Sequence, residues 1–123
     1  MVFRWLQRND SPAVREICAH TSLSRSVARR VLERFDENKH TEIVGLLIGQ
    51  ADNTLYHDPI EDLPELADAF AAAETEIEAA LKGKARGLGF CNTYWRVRKQ
   101  ILRDKYGIDW FSPRQMNPSV RFD

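Results

Sequence analysis

Between Thr41 and Leu81 the chain has no lysine or arginine, while ten Asp and Glu fall in the same stretch. Such a segment is repelled by a polyanion, so any contact with nucleic acid must come from the rest of the chain. Cysteine is scarce as well. Cys18 and Cys91 stand in no paired-spacing motif, which argues against a stapled secreted scaffold and for reduced thiols. Long apolar runs are missing: the longest is "IVGLLIG" at 43–49, well short of the about 18 residues a membrane span needs. The first ten residues, "MVFRWLQRND", are charged rather than signal-like. The expectation is a cytoplasmic protein with no membrane partner. Phosphate-cradling glycines are absent too, since "GKARGLG" at 83–89 has neither P-loop nor dinucleotide spacing.

What is present suffices for one core. With 123 residues and 43% hydrophobic content, the chain reads as a single domain, 1–123, made of two halves, 1–57 and 58–123. Formal net charge is zero, but it is segregated: +3 over 1–40, −10 over 41–81 and +7 over 82–123. Two basic ends flanking an acidic middle imply either neutralisation within the fold or a basic surface that meets an acidic partner.

Cap signals and periodicity predict a mainly α fold. Asp10-Ser11-Pro12 starts a helix that runs to about His20, because Ser caps well and Pro loses no bond at the first helical position. Val14, Ile17 and Cys18 share its buried side. Ser24 caps a second helix through about Phe35, with Val27, Ala28, Val31, Leu32 and Phe35 on one face and mostly arginine on the others. Upstream, 2–8 reads as a short helix burying Val2, Phe3 and Leu6, with Trp5 on its flank. Residues 41–57 have two readings. One is a small β-hairpin of strands near 43–48 and 54–57; the other is a short helix capped by Thr41. A long helix over 63–82 follows, with Leu63, Leu66, Phe70, Ala73, Ile77 and Leu81 as its stripe, Glu61, Glu65, Asp68 and Glu76 on the solvated side, and Gly83 for a left-handed end. A final long helix spans 92–106 and stops at Gly107. Ser112-Pro113-Arg114-Gln115 is a capping box opening one more turn.

The stretch "EICAHTSLSRSVARRVLERF", 16–35, resembles the helix-turn-helix of bacterial transcription regulators. Ile17 and Cys18 stand where such motifs carry an apolar and a small residue, Leu23 is the turn's buried residue, and Ser24 opens the second helix. Ser22 stands where the turn usually has Gly. With a hairpin after it, the order would be that of a winged domain, although "GQADNT" lacks the basic residues of a wing. The resemblance implies sequence-specific binding of double-stranded DNA, as a homodimer, by a candidate regulator. On that reading Ser24 begins the recognition helix, Arg25, Ser26 and Arg29 read bases, and Arg30 or Arg34 holds phosphates.

The alternative centres on 87–118. At helical spacing Phe90, Tyr94, Trp95, Val97, Ile101, Leu102 and Tyr106 span a broad apolar arc, and Cys91, Arg98 and Lys105 fall inside it. A cation there must snorkel, pair with an acid of 61–78, or line a pocket for an anion. Cys91, Tyr94, Trp95, Arg98, Lys105 and Trp110 therefore form the candidate site of an interaction or small-anion module with an acidic protein partner. Arg96, Lys99 and Arg103 make a separate basic stripe. No catalytic residue, metal ligand or cofactor is expected, because Cys91 has no histidine at partner spacing and Cys18 and His20 point to different sides of one helix. The two hypotheses separate cleanly. DNA binding needs Arg25, Arg29 and Arg30 exposed on one face and free of acidic partners; pairing of Arg25 and Arg29 with acids of 58–78 would remove it.

Overall fold

The computed structural model describes residues 10–87 and 89–122, and the short helix expected over 2–8 lies outside them. Six α-helices occur among the described residues: α1 Pro12–His20, α2 Arg25–Glu33, α3 His40–Ile48, α4 Ala67–Ala80, α5 Phe90–Tyr106 and α6 Pro113–Met116. No strand occurs among these residues, and no helix among them is long and apolar enough to cross a membrane.

The caps fall where the side chains can make them. Ser11 and Ser24 each accept from the backbone N–H three residues on, Val14 and Val27, at 3.2 Å. Pro12 and Pro113 occupy first helical turns, where a missing N–H costs nothing. Ser112 and Gln115 complete the expected capping box. Gly107 ends α5 at φ 66°, the left-handed value glycine adopts without a Cβ clash.

Two expectations need correction. Residues 40–48 form a helix, entered through a 3-10 turn at Glu37–Lys39, rather than a hairpin strand, and Thr41 lies inside it instead of capping it. The reason is burial: Ile43, Val44 and Leu47 at i, i+1 and i+4 all turn to the core, a pattern that a two-residue period would split between two faces. The long helix over 63–82 is shorter. Pro59–Asp62 and Pro64–Leu66 are separate 3-10 turns, each opened by a proline, and the α-helix proper begins at Ala67. Of the supposed solvated face, Glu65 and Asp68 are exposed while Glu61 is drawn inward.

α1 packs on both α2 and α3, and α4 packs chiefly on α5. The turn Pro59–Asp62 touches α3 and α4 and so joins the two helix groups. One cluster of buried apolar side chains runs through both, including Ile17, Val31, Ile43, Leu47, Ile77, Leu102 and Met116. Each such side chain contributes roughly 1.5–3 kcal/mol on leaving water.

Candidate functional site

Arg25 and Arg29 stand one turn apart on α2 and therefore share a face. Both reach back to Asp10, the residue before the α1 cap: Arg25 Nε lies 2.9 Å from Oδ2, and Arg29 donates through Nε to Oδ1 at 3.0 Å and also through Nη2. A third guanidinium arrives from α1, where Arg15 Nη1 donates to the Asp10 carbonyl at 2.8 Å. The Asp10 side chain is only 4% exposed, against 62% for Arg25 and 37% for Arg29. A buried carboxylate needs such donors to offset its lost hydration. Three cations around one anion leave the cluster net positive.

Next to it, Ser26 and Arg30 are exposed, and Arg30 forms no ion pair among the described residues. Ser24 is occupied as a cap. Leu23 is buried in the turn, as the resemblance implied. The arginine face is thus exposed, but Arg25 and Arg29 are not free of an acidic partner; that partner is Asp10 and not an acid of 58–78.

Arg34 lies elsewhere. At the end of α2 it turns inward, its guanidinium closing on Asp58 and on the Asp109 carbonyl and lying 3.9 Å from the Phe111 ring centroid. With a side chain 8% exposed, it has no edge to offer a phosphate.

No family model, no curated protein and no solved structure matches the chain.

The aromatic and basic candidates of the second half divide into two groups. Arg98 is claimed by acids of the preceding segment, with Nη1 donating to Glu74 Oε2 at 2.8 Å and Nη2 lying 3.4 Å from Glu61 Oε1. Tyr94 also donates to Glu74, and Trp110 Nε1 to Glu61 Oε2 at 2.8 Å. Arg98 further lies 4.9 Å from the Trp110 ring and 5.5 Å from that of Phe70. Arg98 faces two carboxylates, so this group presents no unfilled anion site. Burial first, and then the bond to Glu74, raises the Tyr94 phenol above its ordinary value.

Trp95 stands apart, edge-on to Phe122 with ring centroids 5.2 Å apart. Lys105 pairs with Glu76 at the surface, and Cys91 is exposed rather than packed in the arc. The arc is broad enough that its two edges reach solvent, which helical spacing alone does not reveal. Sequence reasoning passed over Asp10, Arg15 and Arg114. Asp10 was legible only as part of a cap signal, and nothing in the spacing of Arg15 or Arg114 distinguishes them from solvated surface residues.

A cleft of about 460 Å³ opens between α1 and α3, lined by Pro12, Val44 and Ile48 with Glu16 and Glu37. Among the described residues no arginine or lysine lines it, and Glu16 and Glu37 there disfavour a polyanion.

Proposed function

We propose that the protein binds double-stranded DNA through the exposed arginine face of α2, in the manner of a helix-turn-helix regulator and as a homodimer. The observation that carries this reading is the exposure of Arg25, Ser26 and Arg30 on α2, with Arg30 in no ion pair among the described residues; Arg25 and Arg29 share Asp10 and so miss the condition that they be free of acids, but with Arg15 on the Asp10 carbonyl three guanidinium groups surround that one carboxylate-bearing residue. The surplus positive charge favours phosphates. Arg25 meets Asp10 through Nε and so retains the Nη pair that meets guanine O6 and N7 as a fork, whereas Arg29 is held through both Nε and Nη2. A wing forms no part of the proposal, since α3 occupies the place expected of its first strand. Dimerisation is proposed because one recognition helix supplies few base contacts.

The test is a fluorescence-anisotropy titration against mixed-sequence duplex DNA at low and moderate salt, beside an Arg25→Ala/Arg29→Ala variant. Binding that weakens steeply with salt and is lost in the variant is expected. Absence of binding at low salt overturns the reading, and α2 is then a core helix with a solvated arginine side.

A further inference from the structure

Trp95, Arg96 and Lys99 from α5 and Arg114 and Gln115 from α6 line a shallow groove of about 270 Å³. Residues 95, 96 and 99 meet there because they lie within one helical turn. Among the described residues, two of the three cations are held by neutral groups. Lys99 Nζ donates to the Trp110 carbonyl at 2.6 Å and to Gln115 Oε1 at 3.0 Å; Arg114 Nη2 donates to Asn92 Oδ1 and to the Phe122 carbonyl, both at 3.0 Å. Arg96 is exposed and in no ion pair among the described residues.

Several other cations, by contrast, are paired with carboxylates. Arg34 has Asp58, Lys39 has Glu42 and Glu65, Arg98 has Glu61 and Glu74, and Lys105 has Glu76. Among the described residues, no carboxylate lines the groove. Burial is the main influence on the Lys99 ammonium and draws it below the usual 10.5, with Asp109 acting in the opposite direction. A partly desolvated cation held only by neutral acceptors gains from an incoming anion.

The groove also carries an aromatic ring among those cations, and that combination narrows the ligand. In a duplex the bases are stacked on one another and do not reach a side-chain ring, whereas a single strand offers a base face and a phosphate at every step. An acidic peptide would use the cations and leave Trp95 idle. We propose that this groove is a single-stranded nucleic-acid site, in which a base stacks on Trp95 and the flanking phosphates lie against Arg96, Lys99 and Arg114. The inference uses no residue of α2 and stands apart from the duplex reading.

The experiment takes the full chain in the Arg25→Ala/Arg29→Ala background, so that the α2 surface does not contribute, and titrates short oligothymidylate while following tryptophan fluorescence and, separately, anisotropy of labelled oligonucleotide. Expected are a salt-sensitive quench, loss of that quench in Trp95→Phe although Trp5 and Trp110 remain, and binding weakened about tenfold or more by an added Arg96→Gln/Arg114→Gln pair or by Trp95→Ala. Circular dichroism of each variant checks that the helices persist. Failure to bind at low salt overturns the proposal. So does a quench that survives Trp95→Phe, and so does polyglutamate binding as tightly as the oligonucleotide, which would mark the groove as a peptide site.

Discussion

Arg34 and Asp58, 24 residues apart, form a bidentate pair in the interior, with Nη1–Oδ2 at 2.6 Å and Nη2–Oδ1 at 2.8 Å. Asp58 accepts in addition from the backbone of Ile60 and Phe111, at 3.1 and 2.7 Å, and Arg34 donates to the Asp109 carbonyl. One ion pair therefore fastens the end of α2, the turn before α4 and the chain leading to α6. Its side chains are 8% and 0% exposed, so neither charge recovers hydration if the other is lost.

Asp58→Asn is expected to cost about 3–5 kcal/mol in urea denaturation, because it strands a buried guanidinium. Arg34→Leu costs a comparable amount by stranding the carboxylate. The double variant Arg34→Leu/Asp58→Asn should lose clearly less than the sum of the two; additive losses would show that the groups are not coupled.

Two glycines should respond in opposite directions. Gly45 lies in α3 with helical backbone, and a Cβ built there meets nothing within 4 Å; Gly107 holds φ +66° at the end of α5. Gly45→Ala is expected to stabilise by about 0.5–1 kcal/mol through restored helix propensity. Gly107→Ala should destabilise by about 1 kcal/mol, since alanine is strained in the left-handed region. Urea midpoints measured at unchanged slope read both.

Asp10→Asn removes the one negative charge from the arginine cluster. Mixed-sequence duplex should then bind more tightly at low salt, with a salt slope steeper by about one counterion. Discrimination between sequences should fall, because Arg25 and Arg29 are no longer aimed by a charged partner. Anisotropy with matched and scrambled duplexes reads both effects, and an unchanged salt slope would show that Asp10 does not shape the surface.

Tyr94 donates to Glu74 at 2.6 Å, and Tyr106 donates to Glu76. Burial and then Glu74 raise the Tyr94 phenol above 10.0, and chiefly the bond to Glu76 does the same for Tyr106. A folded value above the unfolded one means that the stability tied to these groups is whole below about pH 10 and is lost as pH rises through the folded values. Ultraviolet titration should show tyrosinate appearing late in the folded protein. The lag should shrink in Tyr94→Phe/Tyr106→Phe, and no lag in the parent would refute the assignment.

Local chemistry was legible in advance. The Ser11-Pro12 and Ser24 starts, the Ser112 capping box and the Gly107 stop depend on contacts a few residues away, so the residue order carries them. Periodicity likewise placed Val14, Ile17, Val27, Val31 and Ile77 in the core. For residues 43–48 it could not decide, because a short and almost wholly apolar run fits a helix or a strand. Packing on α1 and on the Pro59–Asp62 turn selected the helix.

Charge was the least legible property. Composition set the sign of each third of the chain, and the ten acids of 41–81 did signal that Arg98 could be matched from there, as Glu61 and Glu74 match it. Which cations stay unmatched is a tertiary fact. Arg30, Arg34, Arg96 and Arg98 are the same residue type on helices. Only the fold buries Arg34 on Asp58, encloses Arg98 between two glutamates, and leaves Arg96 and Arg114 beside Trp95 with no carboxylate among the described residues lining the groove. Caps and turns are decided by near neighbours and are written in the sequence. A charge is decided by whatever the packed chain brings within a few ångströms, and that exists only once the chain has folded.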